Sequence, residues 1–87
     1  MLGTLYLIVY DLRKQGRDYK LLYAELEEWG AIRVLQSTWC LKLKNYKTPE
    51  ALLSHFKNFI DANDGLMVSV MNDWDAFKPL ANPASLY

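Results

Sequence analysis

Few residues in this chain have side chains able to do chemistry, and the first of them stands at the end of its most apolar stretch. Asp11 closes Leu5-Tyr6-Leu7-Ile8-Val9-Tyr10, six apolar or aromatic residues in a row. A carboxylate delivered by a strand end can ligate a hard divalent cation such as Mg²⁺ or Mn²⁺, which takes oxygen ligands. It can equally cap the following loop or pair with Arg13 or Arg17. A single carboxylate is a thin magnesium site, because that ion demands an octahedral oxygen shell; two copies of the chain would supply two. Arg13, Lys14, Arg17 and Lys20 cluster just after Asp11, with the charge to meet phosphates or simply to solvate a loop. His55 is the only histidine. It lies beside an apolar stripe, so it reads as a boundary residue rather than a base, and with no second histidine for a pair a zinc site is not expected. Cys40, the only cysteine, has no nearby histidine in sequence and reads as an inert thiol. Trp29, Trp39 and Trp74 read as core or interface anchors before base-stacking platforms.

These residues must be positioned by regular elements, and the hydrophobic periodicity outlines them. Leu5–Tyr10 is a short, continuously apolar strand of the kind found at a sheet centre. Arg13 to Arg17 is polar and contains Gly16, so it reads as a loop. Asp18 is a candidate N-cap for a helix running to Trp29, with Tyr19, Leu22, Tyr23, Leu26 and Trp29 on one face and Gly30 just past its end. Ile32 to Gln36 is a strand candidate. Trp39, Leu41 and Leu43 then alternate with Cys40, Lys42 and Lys44, the period of two of a half-buried strand. Ser37-Thr38 between them is either a tight hairpin or a bulged continuation, because no Gly, Asn or Pro marks the turn. Thr48-Pro49-Glu50 is a helix start with cap, N1 proline and first-turn acid. Leu52, Leu53, Phe56, Phe59 and Ile60 form its stripe. Asn63-Asp64-Gly65 is a turn, and Leu66, Val68 and Val70 alternate with Met67, Ser69 and Met71 in a last strand.

The order is β-α-β-β-α-β, the ferredoxin-like split βαβ pattern. It implies an α+β domain over residues 1–73: a four-stranded antiparallel sheet with both helices on one face and its first and third strands central. Residues 74–87 form a tail with Pro79 and Pro83, too apolar at Trp74, Phe77, Leu80, Leu86 and Tyr87 to be solvated. It is expected to pack on its own sheet, to add a C-terminal strand, or to swap onto a second copy.

Composition narrows the function classes. Eighty-seven residues make one domain, near the lower end of comfortable independent folding. A hydrophobic fraction of 52% with twelve aromatics is enough for a core and a subunit interface, so a homodimer covering the open sheet face is expected. The net charge of zero excludes a strongly basic nucleic-acid protein. The charge is uneven, at +3 over residues 1–47 (eight Lys/Arg against five Asp/Glu) and −3 over 48–87 (two against five), so a local basic patch survives. No apolar run approaches the roughly 20 residues of a membrane-crossing helix, and the flanks of Leu5–Tyr10 do not suit a signal peptide. A lone thiol suits a reducing, cytoplasmic setting.

Tyr6–Leu12 with Tyr10-Asp11 at its strand end, Gln36-Ser37-Thr38-Trp39, the amphipathic Asp18–Trp29 segment and Asn63-Asp64-Gly65-Leu66 together resemble the CRISPR-associated Cas-two family and the wider group of Cas-two-like and virulence-associated ribonucleases. The likeness spans roughly residues 4–72. It implies a homodimer in which Asp11 lies near its two-fold mate, holds Mg²⁺ or Mn²⁺ and serves phosphodiester cleavage of RNA or DNA in prokaryotic or phage defence. Ser37 and Trp39 match positions flanking that cleft. Some members are non-catalytic scaffolds, so the resemblance also implies an interaction module binding nucleic acid or a partner protein. The Trp- and Pro-containing tail and the neutral charge depart from the family pattern.

Overall fold

The computed structural model describes residues 3–13 and 18–87, so Lys14 and Arg17 lie outside the described residues. The elements are β1 (Thr4–Asp11), α1 (Lys20–Glu28), β2 (Ile32–Leu35), β3 (Thr38–Leu43), α2 (Pro49–Phe56) and β4 (Gly65–Val70), with 3₁₀ turns at Lys57–Phe59 and Pro83–Leu86. The strands form one antiparallel sheet in the order β2-β3-β1-β4. This is the α+β, ferredoxin-like arrangement expected from the element order, with the two most apolar strands at the centre.

Alternation along β1 sorts its side chains between two clusters. Tyr6, Ile8 and Tyr10 join Trp39 and Leu41 of β3, Leu22 and Leu26 of α1, and Leu52 and Phe56 of α2 in the main core. Both helices therefore lie on one face. Each fully buried Leu or Phe there contributes roughly 1.5–3 kcal/mol. The opposite face carries Leu5, Val34 and Cys40, packed against Leu7, Ile32, Met71, Trp74 and Leu86. Trp74 and Leu86 come from the tail, which crosses the open face of its own sheet as a loop ending in a 3₁₀ turn. It adds no fifth strand. Leu80 N–H to the Val34 carbonyl at 2.8 Å attaches it to β2, and Trp74 Nε1–H to the Tyr87 hydroxyl at 3.0 Å braces it internally. Part of the apolar face that called for a second copy is thus covered by the chain itself. Met67 and Leu35 remain exposed.

The helix ends follow from local chemistry. The N-cap of α1 is Tyr19, which makes no side-chain cap bond, and not Asp18 as expected; Asp18 lies one residue further out, where its Oδ1 accepts the Lys20 backbone N–H at 3.0 Å. Gly30 stands at φ +84, the left-handed position that lets Ala31 N–H return to the Leu26 carbonyl at 3.0 Å. Thr48 Oγ1 accepts the Ala51 N–H at 3.1 Å, and Pro49 occupies the first turn of α2.

The β2–β3 connection is the tight hairpin, turning at Gln36-Ser37. Among the described residues Lys78 is the only non-glycine with positive φ, so this is not the type I′ turn that matches strand twist. The register instead shifts between Arg33 and Leu35, a bulge that absorbs the mismatch.

Candidate functional site

Asp11 is the last residue of β1, opposite Gly65 of β4. Alternation places it on the sheet face of Leu5, Leu7 and Val9, and its side chain is 69% exposed. Arg13 Nε donates to Asp11 Oδ2 at 2.9 Å. Arg13 is itself held twice from the α2–β4 turn: its backbone N–H donates to Asp64 Oδ1 at 2.6 Å, and Nη1 donates to the Asn63 carbonyl at 3.1 Å. Gly65 leaves room for this approach, since a Cβ there would stand 3.0 Å from Arg13 Nη2, a contact the guanidinium would have to ease by a small shift. Asp64 also accepts from the Tyr19 hydroxyl and from Asp61 N–H, both at 2.7 Å. One carboxylate thereby ties the β1 exit, the start of α1 and the entry to β4 together.

A second cluster stands on the helix-covered side of the same sheet end. Arg33 of β2 pairs across the strands with Trp39 of β3. The Tyr10 hydroxyl accepts Trp39 Nε1–H at 3.0 Å and Arg33 Nη2–H at 3.2 Å, and donates to the Gln36 carbonyl at 3.3 Å. Arg33 Nε–H also meets that carbonyl at 2.9 Å, as does Nη2–H. The hairpin tip is bonded back to β1 by Tyr10 N–H to the Ser37 carbonyl at 3.0 Å. The Arg33 guanidinium lies over the Tyr23 ring of α1, 4.9 Å from its centroid, and 5.8 Å from that of Trp39. Tyr23 and Trp39 are near parallel, at 16° and 6.2 Å. Burial pushes the Tyr10 phenol above its ordinary value of 10.0, against the pull of the Trp39 N–H and the Arg33 charge. At neutral pH it is therefore a protonated brace rather than a base.

A cleft of about 300 Å³ opens between the two clusters, lined by Tyr10, Asp11, Leu12, Tyr23, Arg33, Gln36 and Ser37. Two residues singled out from the sequence, Asp11 and Ser37, share it. Trp39 is 4% exposed and stands behind it, supporting Tyr10. Arg13 faces Asp11 at its edge. The sequence marks Tyr10 only as the residue before Asp11 and Tyr23 only as part of a helix face, and it gives Arg33 no role at the site. The available signal was period-two spacing, which sets Arg33 beside the aromatic positions once the strand register is known.

His55 and Cys40 have structural settings. Glu25 Oε2 accepts His55 Nε2 at 2.6 Å and Trp29 Nε1–H at 3.0 Å. The His55 bond holds α1 to α2, the Trp29 bond lies within the last turns of α1, and together they keep the Glu25 carboxyl below its ordinary 4.5. Cys40 is fully buried with its Sγ 3.6 Å from Met71 Sδ, and burial pushes its thiol up, the opposite of an activated nucleophile. Among the described residues no cluster of three or more His, Cys, Asp or Glu is placed to hold a metal, and no helix is long and apolar enough to cross a membrane. No protein-family model matches the chain, and no solved structure matches it at a significant level.

Proposed function

We propose that this chain is a Cas-two-like, homodimeric, metal-dependent nuclease that cleaves phosphodiester bonds of RNA or DNA in the cytoplasm, as part of a prokaryotic or phage defence system. The observation carrying this reading is the cleft at the end of β1, where the exposed Asp11 carboxylate and the Arg33 cation line one opening. A carboxylate suits a hard cation, and a guanidinium suits a phosphate.

Asp11 fits Mg²⁺ or Mn²⁺ by donor type, as an exposed oxygen ligand. It does not fill a coordination shell by itself, so the Asp11 residues of two copies would hold the ion. Bound there, the ion supplies Lewis-acid polarisation of the phosphate and a more acidic water. The protein's own part is positional. Arg13 fixes one Asp11 oxygen, and among the described residues the other takes no hydrogen bond. The hairpin tip at Ser37 closes one wall. Val9 and Met67, neighbours in register on the face of Asp11, offer apolar surface for the second copy, at the part of the sheet the tail leaves uncovered.

The test is cleavage of labelled single-stranded RNA and duplex DNA with Mn²⁺, by wild type and Asp11→Asn, with light scattering for mass. Metal-dependent cleavage by a dimer, lost in Asp11→Asn with unchanged circular dichroism, is the expected result. No cleavage by wild type, or equal cleavage by the variant, refutes it. The Asp11–Arg13 ion pair favours a second reading, a non-catalytic module binding nucleic acid or a partner protein. There Asp11 merely orders the loop, and Asp11→Asn costs a little stability while added metal changes nothing.

A further inference from the structure

The tail and the sheet face it crosses do not close completely on each other. Between them lies a cavity of about 200 Å³, with Leu7, Val34, Thr38 and Cys40 on its floor and Trp74 and Phe77 in its roof. The floor follows from alternation: Thr38 and Cys40 stand two apart on β3, opposite Val9 and Leu7 of β1. This lining holds one polar group with nothing to bond. Thr38 is 8% exposed, the only buried polar residue among those described, and among them its hydroxyl has no hydrogen-bond partner. Buried polar groups ordinarily find one. The oxygen is not sealed in either. No side-chain oxygen or nitrogen among the described residues is both fully enclosed and unpaired, so the hydroxyl opens onto the cavity that Thr38 lines. The Cys40 thiol is already engaged with Met71 Sδ at 3.6 Å. A water deep in this space would meet one good partner where it needs two to four. The roof is lightly held. Among the described residues the backbone of 75–79 makes no hydrogen bond to the sheet, Phe77 is 84% exposed, and Lys78 turns the chain at φ +51, a left-handed conformation uncommon outside glycine.

We propose that this cavity is a binding site for a small, uncharged, largely apolar molecule, one aromatic ring in size, that hydrogen-bonds to Thr38. A cavity of about 150 Å³ lined by aliphatic and aromatic side chains holds benzene, so one of about 200 Å³ takes a ring with one small substituent. The lining selects against charge. It contains no Lys, Arg or His to meet an anion, burial keeps the Cys40 thiol protonated, and the exposed Asp75 carboxylate at the rim repels an anion. A hydroxyl both donates and accepts, so a phenol-like or alcohol-like group on the ligand gives Thr38 the partner it lacks. The site lies under the tail, away from the Asp11 cleft, and does not depend on the nuclease reading. Because its roof is the tail, an occupant joins Trp74 and Phe77 to the sheet and stabilises the folded chain by mass action.

The experiment titrates para-fluorophenol, fluorobenzene and para-fluorobenzoate into the full chain, followed by fluorine NMR and by the tryptophan indole N–H resonances. The phenol is expected to bind with a Kd of about 1 mM or tighter. It should bind about fivefold more tightly than fluorobenzene, the effect of one neutral hydrogen bond, and the benzoate should not bind. Of the three indole resonances, that of Trp74 should move and the others should not, since Trp29 and Trp39 lie on the helix side of the sheet; Trp74→Phe identifies the resonance. Thr38→Val keeps the shape and removes the hydroxyl. It should abolish the preference for the phenol, leave fluorobenzene affinity within about twofold, and leave the melting temperature unchanged or higher, because no hydrogen bond is lost. Thr38→Ser keeps the hydroxyl and should keep the preference. No saturable binding by wild type, a Trp74 resonance that does not respond, or equal affinity for the phenol and fluorobenzene each overturns the proposal. So does a preference for the phenol that survives in Thr38→Val. A Thr38→Val protein that melts well below wild type shows that the hydroxyl already has a partner, and overturns it as well.

Discussion

Replacing Tyr10 with Phe removes one oxygen and nothing else, and the structure gives that oxygen three tasks. It accepts from Trp39 Nε1 at 3.0 Å and from Arg33 Nη2 at 3.2 Å, and donates to the Gln36 carbonyl at 3.3 Å. The last two partners are easily re-satisfied, because the Arg33 guanidinium reaches an open cleft and the Gln36 carbonyl already accepts from Arg33. The Trp39 N–H is different. Its residue is 4% exposed and Tyr10 is 6% exposed, so water does not readily replace the hydroxyl. Leaving a buried donor unpaired costs about 1–3 kcal/mol. We expect Tyr10→Phe to lose about 2 kcal/mol, which for a domain of 87 residues lowers the melting temperature by roughly 10 °C. Urea unfolding followed by far-ultraviolet circular dichroism measures the change without relying on tryptophan fluorescence. A shifted midpoint with unchanged slope marks a loss of stability rather than of cooperativity. The double-mutant cycle with Trp39→Phe isolates the bond. Once the indole N–H is gone, removing the hydroxyl should cost at least about 1 kcal/mol less than it does in wild type. A Tyr10→Phe loss under about 0.5 kcal/mol, or no coupling in the cycle, refutes the claim that this bond organises the sheet end.

Asp64 accepts from the Arg13 backbone, the Tyr19 hydroxyl and Asp61 N–H, so Asp64→Ala should destabilise by about 2–3 kcal/mol and raise hydrogen exchange at the exit of β1; urea titration and exchange rates check both. The Glu25 carboxyl is held below its ordinary 4.5 by the His55 and Trp29 hydrogen bonds. A lowered folded value contributes stability that is full above pH 4.5 and is lost as pH falls through the folded value. Melting temperature should therefore drop on acidification below pH 4.5, and Glu25→Gln should flatten that limb while lowering stability at neutral pH; identical acid limbs in the two proteins would count against the bond.

What the sequence discloses here depends on how far apart the deciding partners lie. The apolar run Leu5–Tyr10, the Thr48-Pro49-Glu50 start and the alternation through Trp39–Lys44 are local signals, each complete within a few residues, and the elements they mark are where they were expected. The hairpin at Gln36-Ser37 left no such signal, because its twist is accommodated by a bulge between Arg33 and Leu35 instead of by glycine in the turn. Asp11 announced itself by charge and position, but its partner did not. Arg13 engages it because Gly65, which joins it only through sheet register, leaves room for the guanidinium, and because Asp64 and Asn63 fasten Arg13 from the far side of α2. The tail's apolar residues were evident, and their destination was not, since covering Leu5 and Val34 in the same chain or in a second copy satisfies the same composition. Arg33 is the extreme case. Read alone, an arginine in a short strand is a solvated face. Its setting arises from Tyr10, Tyr23 and Trp39, three residues on three other elements, brought to it by register and helix packing. An arginine fixed this firmly, and without a carboxylate partner among the described residues, is better matched to an incoming anion than to stabilising the fold, because a carboxylate partner would compensate its charge more fully than a carbonyl and a phenol do.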